Sequence, residues 1–251
     1  MSEERKTIYL CLAHMSEEGW EQKYVKEAFD TNWVVPMGPN VNAFEKDLCR
    51  FVTSNTESAV YGDSRWPEAN PPSWHLNSEL ENTTVVCLSA GTAAIHLALI
   101  AAGVQVGDEV CVQSFTFCAS SHPITYLGAK PIFIGSEKDT WNMDPELLEN
   151  AILDRKEKTG KYPKAIVPVA LYGMPYQIDK ILAIADKYNI PVIEDAAEGM
   201  GSRFNGQILG TFGKFGVLSF NGNKMITTSG GGALICRNAE DANTIMWYAT
   251  Q

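Results

Sequence analysis

From residue 85 onward, short apolar runs alternate with stretches whose apolar residues recur at helical spacing. The runs Thr84–Leu88, Glu109–Gln113, Lys130–Ile134, Ala165–Ala170, Pro191–Glu194, Val217–Phe220 and Gly232–Cys236 read as strands. The stretches between them predict helices over Gly91–Ala102, Cys118–Leu127, Pro145–Lys158 and Ile178–Lys187. The strands up to 194 are continuously apolar and do not alternate with polar residues, the pattern of strands buried on both faces of a mainly parallel sheet. An α/β three-layer architecture is therefore expected, a central sheet with helices on both faces. Ligands of such sheets gather beyond the carboxyl ends of the strands.

The amino-terminal part reads differently. Trp20, Tyr24 and Ala28 mark a helix within 16–32, a Pro/Gly/Asn loop spans Pro36–Asn42, and a second helix covers about Ala43–Phe51. This gives an N-terminal helical segment and loop over 1–52. Residues 53–84 hold Ser, Asn, Pro and Glu around isolated aromatics and read as a long surface loop or insertion. The large domain is expected over 85–251, ending in an amphipathic helix from 239 with no stop signal at Gln251.

Composition narrows the function. With 45% apolar residues the chain can build a core, and a formal net charge of −10 disfavours nucleic-acid and anionic-membrane binding. There is no run long enough to span a bilayer and no signal-peptide pattern, so a cytoplasmic protein is the default reading. The six cysteines show no C-x-x-C pair and the four histidines are scattered, so no metal site is expected. Cys87, Cys111 and Cys236 read as small buried hydrophobes.

Three segments carry candidate chemistry. Ser89-Ala90-Gly91-Thr92-Ala93-Ala94 opens a helix directly after a strand, where unpaired N–H groups suit a phosphate; Thr92 as an ordinary N-cap explains it equally simply. Asp195 ends a buried strand, where a carboxylate needs a cation or several donors, or else caps the next helix. Lys224 follows Ser219-Phe220-Asn221-Gly222-Asn223 in a loop rich in small residues, either as a covalent-catalysis amine or as an exposed surface lysine. The Gly199-Met200-Gly201 stretch is no dinucleotide fingerprint, which argues against a nicotinamide-dependent oxidoreductase.

Taken together and in order, these residues resemble the DegT/DnrJ/EryC1/StrS family of pyridoxal-phosphate-dependent nucleotide-sugar aminotransferases. The resemblance runs from Tyr9 to Gln251 and includes Trp33-Val34-Val35-Pro36-Met37-Gly38-Pro39, Phe44-Glu45, Gln113-Ser114-Phe115-Thr116-Phe117, Leu171-Tyr172-Gly173 and Glu194-Asp195-Ala196-Ala197. It implies a fold-type I large domain whose smaller C-terminal partner domain is absent from this chain. It implies that Lys224 forms the Schiff base with pyridoxal 5′-phosphate and then carries the proton, that Asp195 pairs with the pyridine nitrogen, and that Gly91, Thr92, Ala93 and Ser219 hold the phosphate. Phe117 is implied to stack on the ring and Glu198 to lie near the ring hydroxyl, where relatives carry Gln or His. Trp33 and Met37 are implied substrate contacts. The implied reaction moves an amino group from glutamate to a UDP- or dTDP-linked 4-keto-6-deoxyhexose, in a homodimer. Competing readings are a fold-type I enzyme acting on free amino acids and a non-catalytic protein that keeps the fold.

Overall fold

The computed structural model describes residues 14–54 and 80–250. Strands β1 (Thr84–Leu88), β2 (Glu109–Gln113), β3 (Lys130–Ile134), β4 (Ala165–Val167), β5 (Ile193–Asp195), β8 (Phe215–Ser219) and β9 (Gly232–Cys236) form the central sheet, and β6 (Arg203–Phe204) and β7 (Gln207–Ile208) a small hairpin. Two ladders, β1-β9-β8-β5 and β3-β2-β4, are stitched together at β4 and β5 by the parallel bridges Ile166–Val192 and Val169–Asp195. The stitch is made of backbone bonds: Ile166 N donates to Pro191 O (3.0 Å), Asp195 N to Pro168 O (2.9 Å) and Ala170 N to Asp195 O (3.0 Å). Among these seven strands, β9 alone runs antiparallel to its neighbours.

Alternate side chains of every strand except the edge strand β3 feed two cores, as expected for strands covered on both faces; β3 leaves Phe133 exposed, contrary to that expectation. Val85, Cys111, Ile166, Val192, Leu218 and Ile235 point to one side, against α2 (Pro39–Thr53), α5 (Pro145–Thr159) and α6 (Ile178–Tyr188), which contribute Leu48, Leu148, Ile152 and Ile181. Val86, Val110, Val112, Val167, Ile193, Val217 and Leu234 point to the other, against α3 (Gly91–Ala101), α4 (His122–Tyr126) and α7 (Ala239–Thr250), which contribute Ile95, Leu99, Ile124 and Ile245. Each fully buried aliphatic side chain adds about 1.5–3 kcal/mol. The result is the three-layer αβα sandwich expected from the sequence.

Several elements differ from the reading of the sequence. The helix expected over 118–127 is broken into a 3-10 turn, Cys118–Ser120, and the short α4, because Ser120 turns inward and Pro123 brings no N–H. Helix α2 begins at Pro39, within the expected loop, since proline at the first turn is pre-set for helix, and it runs through Thr53. Helix α1 (Trp20–Asp30) starts four residues later than expected, after the left-handed Gly19, and buries no residue. Strand β4 stops before Pro168, and β8 starts at Phe215 because Phe215 and Gly216 already pair with Cys236 and Ile235. The hairpin of β6 and β7 was not expected at all. Residues 55–79 of the expected insertion lie outside the described residues.

Candidate active site

Leu88, Gln113, Asp195 and Ser219 all close strands at one edge of the sheet, and Gly232, first residue of the antiparallel β9, begins there. Helix α3 opens at this edge. Its N-cap is Ala90, in extended conformation, and no side chain caps it. Thr92 is therefore inside the helix and not its cap. The N–H groups of Gly91, Thr92 and Ala93 precede the first helical bond, from Ala94 N to Ala90 O (3.1 Å), so α3 offers the orphan donors of a helix start. Two glycines allow the close packing. A Cβ on Gly91 would meet the Ser219 Cβ at 3.0 Å, and one on Gly232 would sit 2.3 Å from the Ala90 carbonyl carbon. The helix start thus packs directly against Ser219 and the head of β9, which brings its N–H groups and the Ser219 hydroxyl close together.

On the adjoining strand β5, Asp195 is only 5% exposed. The Ser120 hydroxyl donates to its Oδ2 (2.6 Å) and the Ala197 N–H to its Oδ1 (3.2 Å). No helix follows β5, so the capping explanation of this acid falls away. Burial pushes the Asp195 pKa up; Ser120, the Ala197 N–H and the nearby Lys224 charge pull it back, and Glu198 adds to the rise.

Lys224 is not the exposed loop lysine of the bland reading: its side chain is 12% exposed. Its Nζ stands 3.3 Å from Glu198 Oε1, and the other Glu198 oxygen accepts the Tyr172 N–H at 2.8 Å. Tyr172 reaches that position in a left-handed backbone conformation, φ 51°, uncommon for a bulky residue and found where a site over-determines it. Lys224 is thereby tied through Glu198 to the turn after β4.

Phe117 stands at the head of the 3-10 turn that delivers Ser120, with its ring 73% exposed. The loops around it are held from below by two fully buried amides. Gln113 accepts the Met143 N–H (2.8 Å) and donates to Phe115 O (2.9 Å), while Asn142 accepts the Leu171 N–H (3.1 Å) and donates to Met174 O (3.0 Å).

The structure thus brings together Gly91, Ser219 and the start of α3, and separately Asp195, Glu198 and Lys224, with Phe117 on the turn that leads to Ser120. Trp33 and Met37 are exposed on the segment between α1 and α2, and no described contact joins them to Lys224 or Asp195. Phe44 and Glu45 act structurally: the Phe44 ring packs on Phe220 at 5.2 Å, and Glu45 Oε1 accepts the Cys87 N–H of β1. Sequence reasoning missed Ser120, Thr116 and Gly232. Ser120 is 75 residues from Asp195 in the chain, and nothing local marks it except its place just after Phe117.

Unpaired helix-start N–H groups beside a serine hydroxyl, a buried acid and a sequestered amine at one sheet edge are groups of the kinds that pyridoxal 5′-phosphate requires. With the mainly parallel sandwich they define the large domain of a pyridoxal-phosphate-dependent aminotransferase of fold type I. The sequence profile of the DegT/DnrJ/EryC1/StrS aminotransferase family matches residues 75–251, and the chain belongs to that family. It is 44% identical over 98% of its length to EpsN of Bacillus subtilis (strain 168), named as a pyridoxal phosphate-dependent aminotransferase, and 36% identical over 90% of its length to GDP-perosamine synthase of Escherichia coli O157:H7. The chain spans only 55% and 53% of these two proteins. Among solved structures, a DegT DnrJ EryC1 StrS aminotransferase from Brucella abortus superposes with a TM-score of 0.72 at 28% identity, over 93% of this chain and 58% of that one. The PMP form of Spr1654 from Streptococcus pneumoniae, named as a sugar aminotransferase, gives 0.74 at 25% identity, over 96% of this chain and 57% of that one.

Proposed function

We propose that this chain is the cofactor-binding part of an enzyme that transfers an amino group to a nucleotide-linked keto-sugar. The observation that carries the proposal is a sequestered amine, Lys224, held by Glu198 near the buried acid Asp195, at the sheet edge where the start of α3 packs on Ser219. When bound, pyridoxal phosphate supplies an aldehyde that captures amines and a ring that delocalises negative charge.

The chain's own residues supply the rest. The first-turn N–H groups of α3 at Gly91, Thr92 and Ala93, together with the Ser219 hydroxyl, hold the phosphate dianion. The Asp195 carboxylate would hold a protonated ring nitrogen, preserving the ring's electron demand. Lys224 Nζ would be the amine that links to the cofactor aldehyde and, when free, the group within the site able to carry a proton. Glu198 holds that amine within reach, and Phe117 covers a ring face.

Glutamate as donor, a homodimeric assembly and a cytoplasmic setting belong to the same proposal. All five described cysteines are unpaired, which suits a reducing compartment. The amino sugar named by GDP-perosamine synthase supports the nucleotide-sugar substrate class, and Trp33 and Met37 are assigned to substrate contact on the family resemblance. Residues 85–251 are read as the cofactor unit and 1–52 as a segment that completes the substrate side.

The test has two arms. Borohydride reduction of the PLP-treated protein followed by peptide mass spectrometry is expected to place the label on Lys224, and Lys224→Ala to abolish it; label elsewhere would reject the assignment. A panel of GDP-, UDP- and dTDP-linked 4-keto sugars with glutamate is expected to yield amino sugar from at least one. Turnover of free amino acids and keto acids alone would move the enzyme to another branch of the fold.

A further inference from the structure

Asp195 has two described hydrogen-bond donors, and one of them leads outward through the protein. Ser120, itself 1% exposed, donates to Asp195 Oδ2 at 2.6 Å, and its Oγ lies 2.8 Å from the Thr116 Oγ1. The direction of this chain follows from proton counting. An ionised carboxylate only accepts, so Ser120 must give Asp195 its one hydroxyl proton. Ser120 then has only lone pairs to offer, and Thr116 must be the donor in the bond between the two hydroxyls. A protonated Asp195 would permit the opposite arrangement. An ionised Asp195, the form that can pair with a cationic ring nitrogen, thus sets the order Thr116 to Ser120 to Asp195.

We propose that Ser120 is a positioning residue, oriented by Thr116, that fixes the Asp195 carboxylate in its accepting form and holds it toward the cofactor's ring nitrogen. The broken helix over 118–126 is the structural means. Had the chain continued as one α-helix from Cys118, Ser120 would lie in a regular turn; the 3-10 turn at Cys118–Ser120 swings it to the end of β5. The same turn begins at Phe117, so one local structure places both that aromatic and the residue that orients the acid. The inference rests on the pyridoxal phosphate reading of this site.

Binding of pyridoxamine phosphate tests it, because that form is held without the lysine link. A second ligand, the same molecule with carbon in place of the ring nitrogen, gives Asp195 nothing to pair with. Hydrogen bonds to a buried charge are worth enough that Ser120→Ala should weaken pyridoxamine phosphate by roughly tenfold or more, measured by fluorescence titration of the cofactor-free protein. The carbon analogue should bind Ser120→Ala and wild type alike. Equal weakening of both ligands would show a merely structural role and overturn the inference, as would unchanged binding of pyridoxamine phosphate. Thr116→Val keeps Ser120 in place and should cost about threefold for pyridoxamine phosphate alone, a smaller loss because the direct donor remains; Thr116→Ser should restore it. If Ser120→Ala does not fold, this pair decides: identical affinities for Thr116→Val and Thr116→Ser overturn the relay. Wild-type protein that binds neither ligand would instead overturn the cofactor reading, and the inference with it.

Discussion

Glu194 and Asp195 are neighbours on one strand, both buried, and they point to opposite sides of the sheet with opposite fates. Glu194 is wrapped by the turn after the β6–β7 hairpin. Its Oε1 accepts the Phe212 N–H (2.6 Å) and the Gly213 N–H (2.8 Å), and its Oε2 accepts the Gly210 N–H (3.2 Å). The buried Tyr176 hydroxyl faces the same carboxylate without a well-aligned hydrogen bond to it. Asp195 receives one backbone N–H and one hydroxyl, and its other neighbours are a lysine and a second acid. A carboxylate has about four acceptor sites. The fold fills most of those on Glu194 with its own backbone and leaves Asp195 with capacity for a ligand. Burial pushes the pKa of each acid up, so burial alone does not tell a structural acid from a functional one; the donors supplied by the backbone do.

The comparison breaks first at Glu194. Replacing it with Ala strands three N–H groups in the interior, and each unsatisfied buried donor costs about 1–3 kcal/mol. A loss of about 3–5 kcal/mol in urea denaturation of the cofactor-free chain is expected, with Glu194→Gln intermediate. A loss below about 1 kcal/mol would remove the distinction between the two acids, since it lies in the range of ordinary surface changes.

Asp195→Asn should act in the other direction on stability. It removes a buried charge, so on the proposed assignment cofactor binding should fall while the cofactor-free chain melts higher, by about 2–4 °C for a domain of this size. The pH dependence carries the sign. The folded pKa of Asp195 lies above its ordinary value of 3.8, so the folded state binds the extra proton between those two values. Wild-type stability therefore falls as pH rises through that window, and the cost is fully present above the raised value. The Asn variant lacks this loss. Its advantage in melting temperature should be near zero at the acid end and widen toward neutrality; an advantage that shrinks as pH rises would contradict the assignment.

How much of this difference the sequence disclosed follows from which interactions are local. Strands β1, β2, β3 and β9 were read with their observed limits because a short apolar run bounded by turn residues needs no knowledge of partners. The candidate residues Lys224, Asp195 and Ser219 were legible because each stands at or just past a strand end. Their alternative readings were not separable from local sequence: whether Asp195 caps a helix depends on residues 196–200, which form turns instead. The roles of Glu194 and Ser120 were hidden for another reason. Their partners lie 16–19 and 75 residues away, and only the sheet brings them near. Helix 118–127 was misread because propensity favours a continuous helix, whereas the pull of Ser120 toward a buried charge is a tertiary effect.

Glu198 sharpens the comparison with the smallest expected effect, for it is the third acid within five residues and the least buried, at 31% side-chain exposure. One oxygen accepts the Tyr172 N–H and the other faces Lys224. Glu198→Gln keeps an acceptor for Tyr172 but can present its NH2 to the lysine, two donors facing each other. At this exposure the lost ion pair is worth under about 1 kcal/mol. Glu198→Ala removes both contacts and frees the turn that holds Tyr172 left-handed. If the acid's structural share lies in that turn, Ala should cost about 1 kcal/mol more than Gln in urea denaturation, the value of one hydrogen bond. Adding Tyr172→Gly to Glu198→Ala should recover part of the loss, because glycine adopts φ 51° without strain. Equal stabilities for the Gln and Ala variants would place the whole contribution of Glu198 on Lys224, and so on the functional side of the pair.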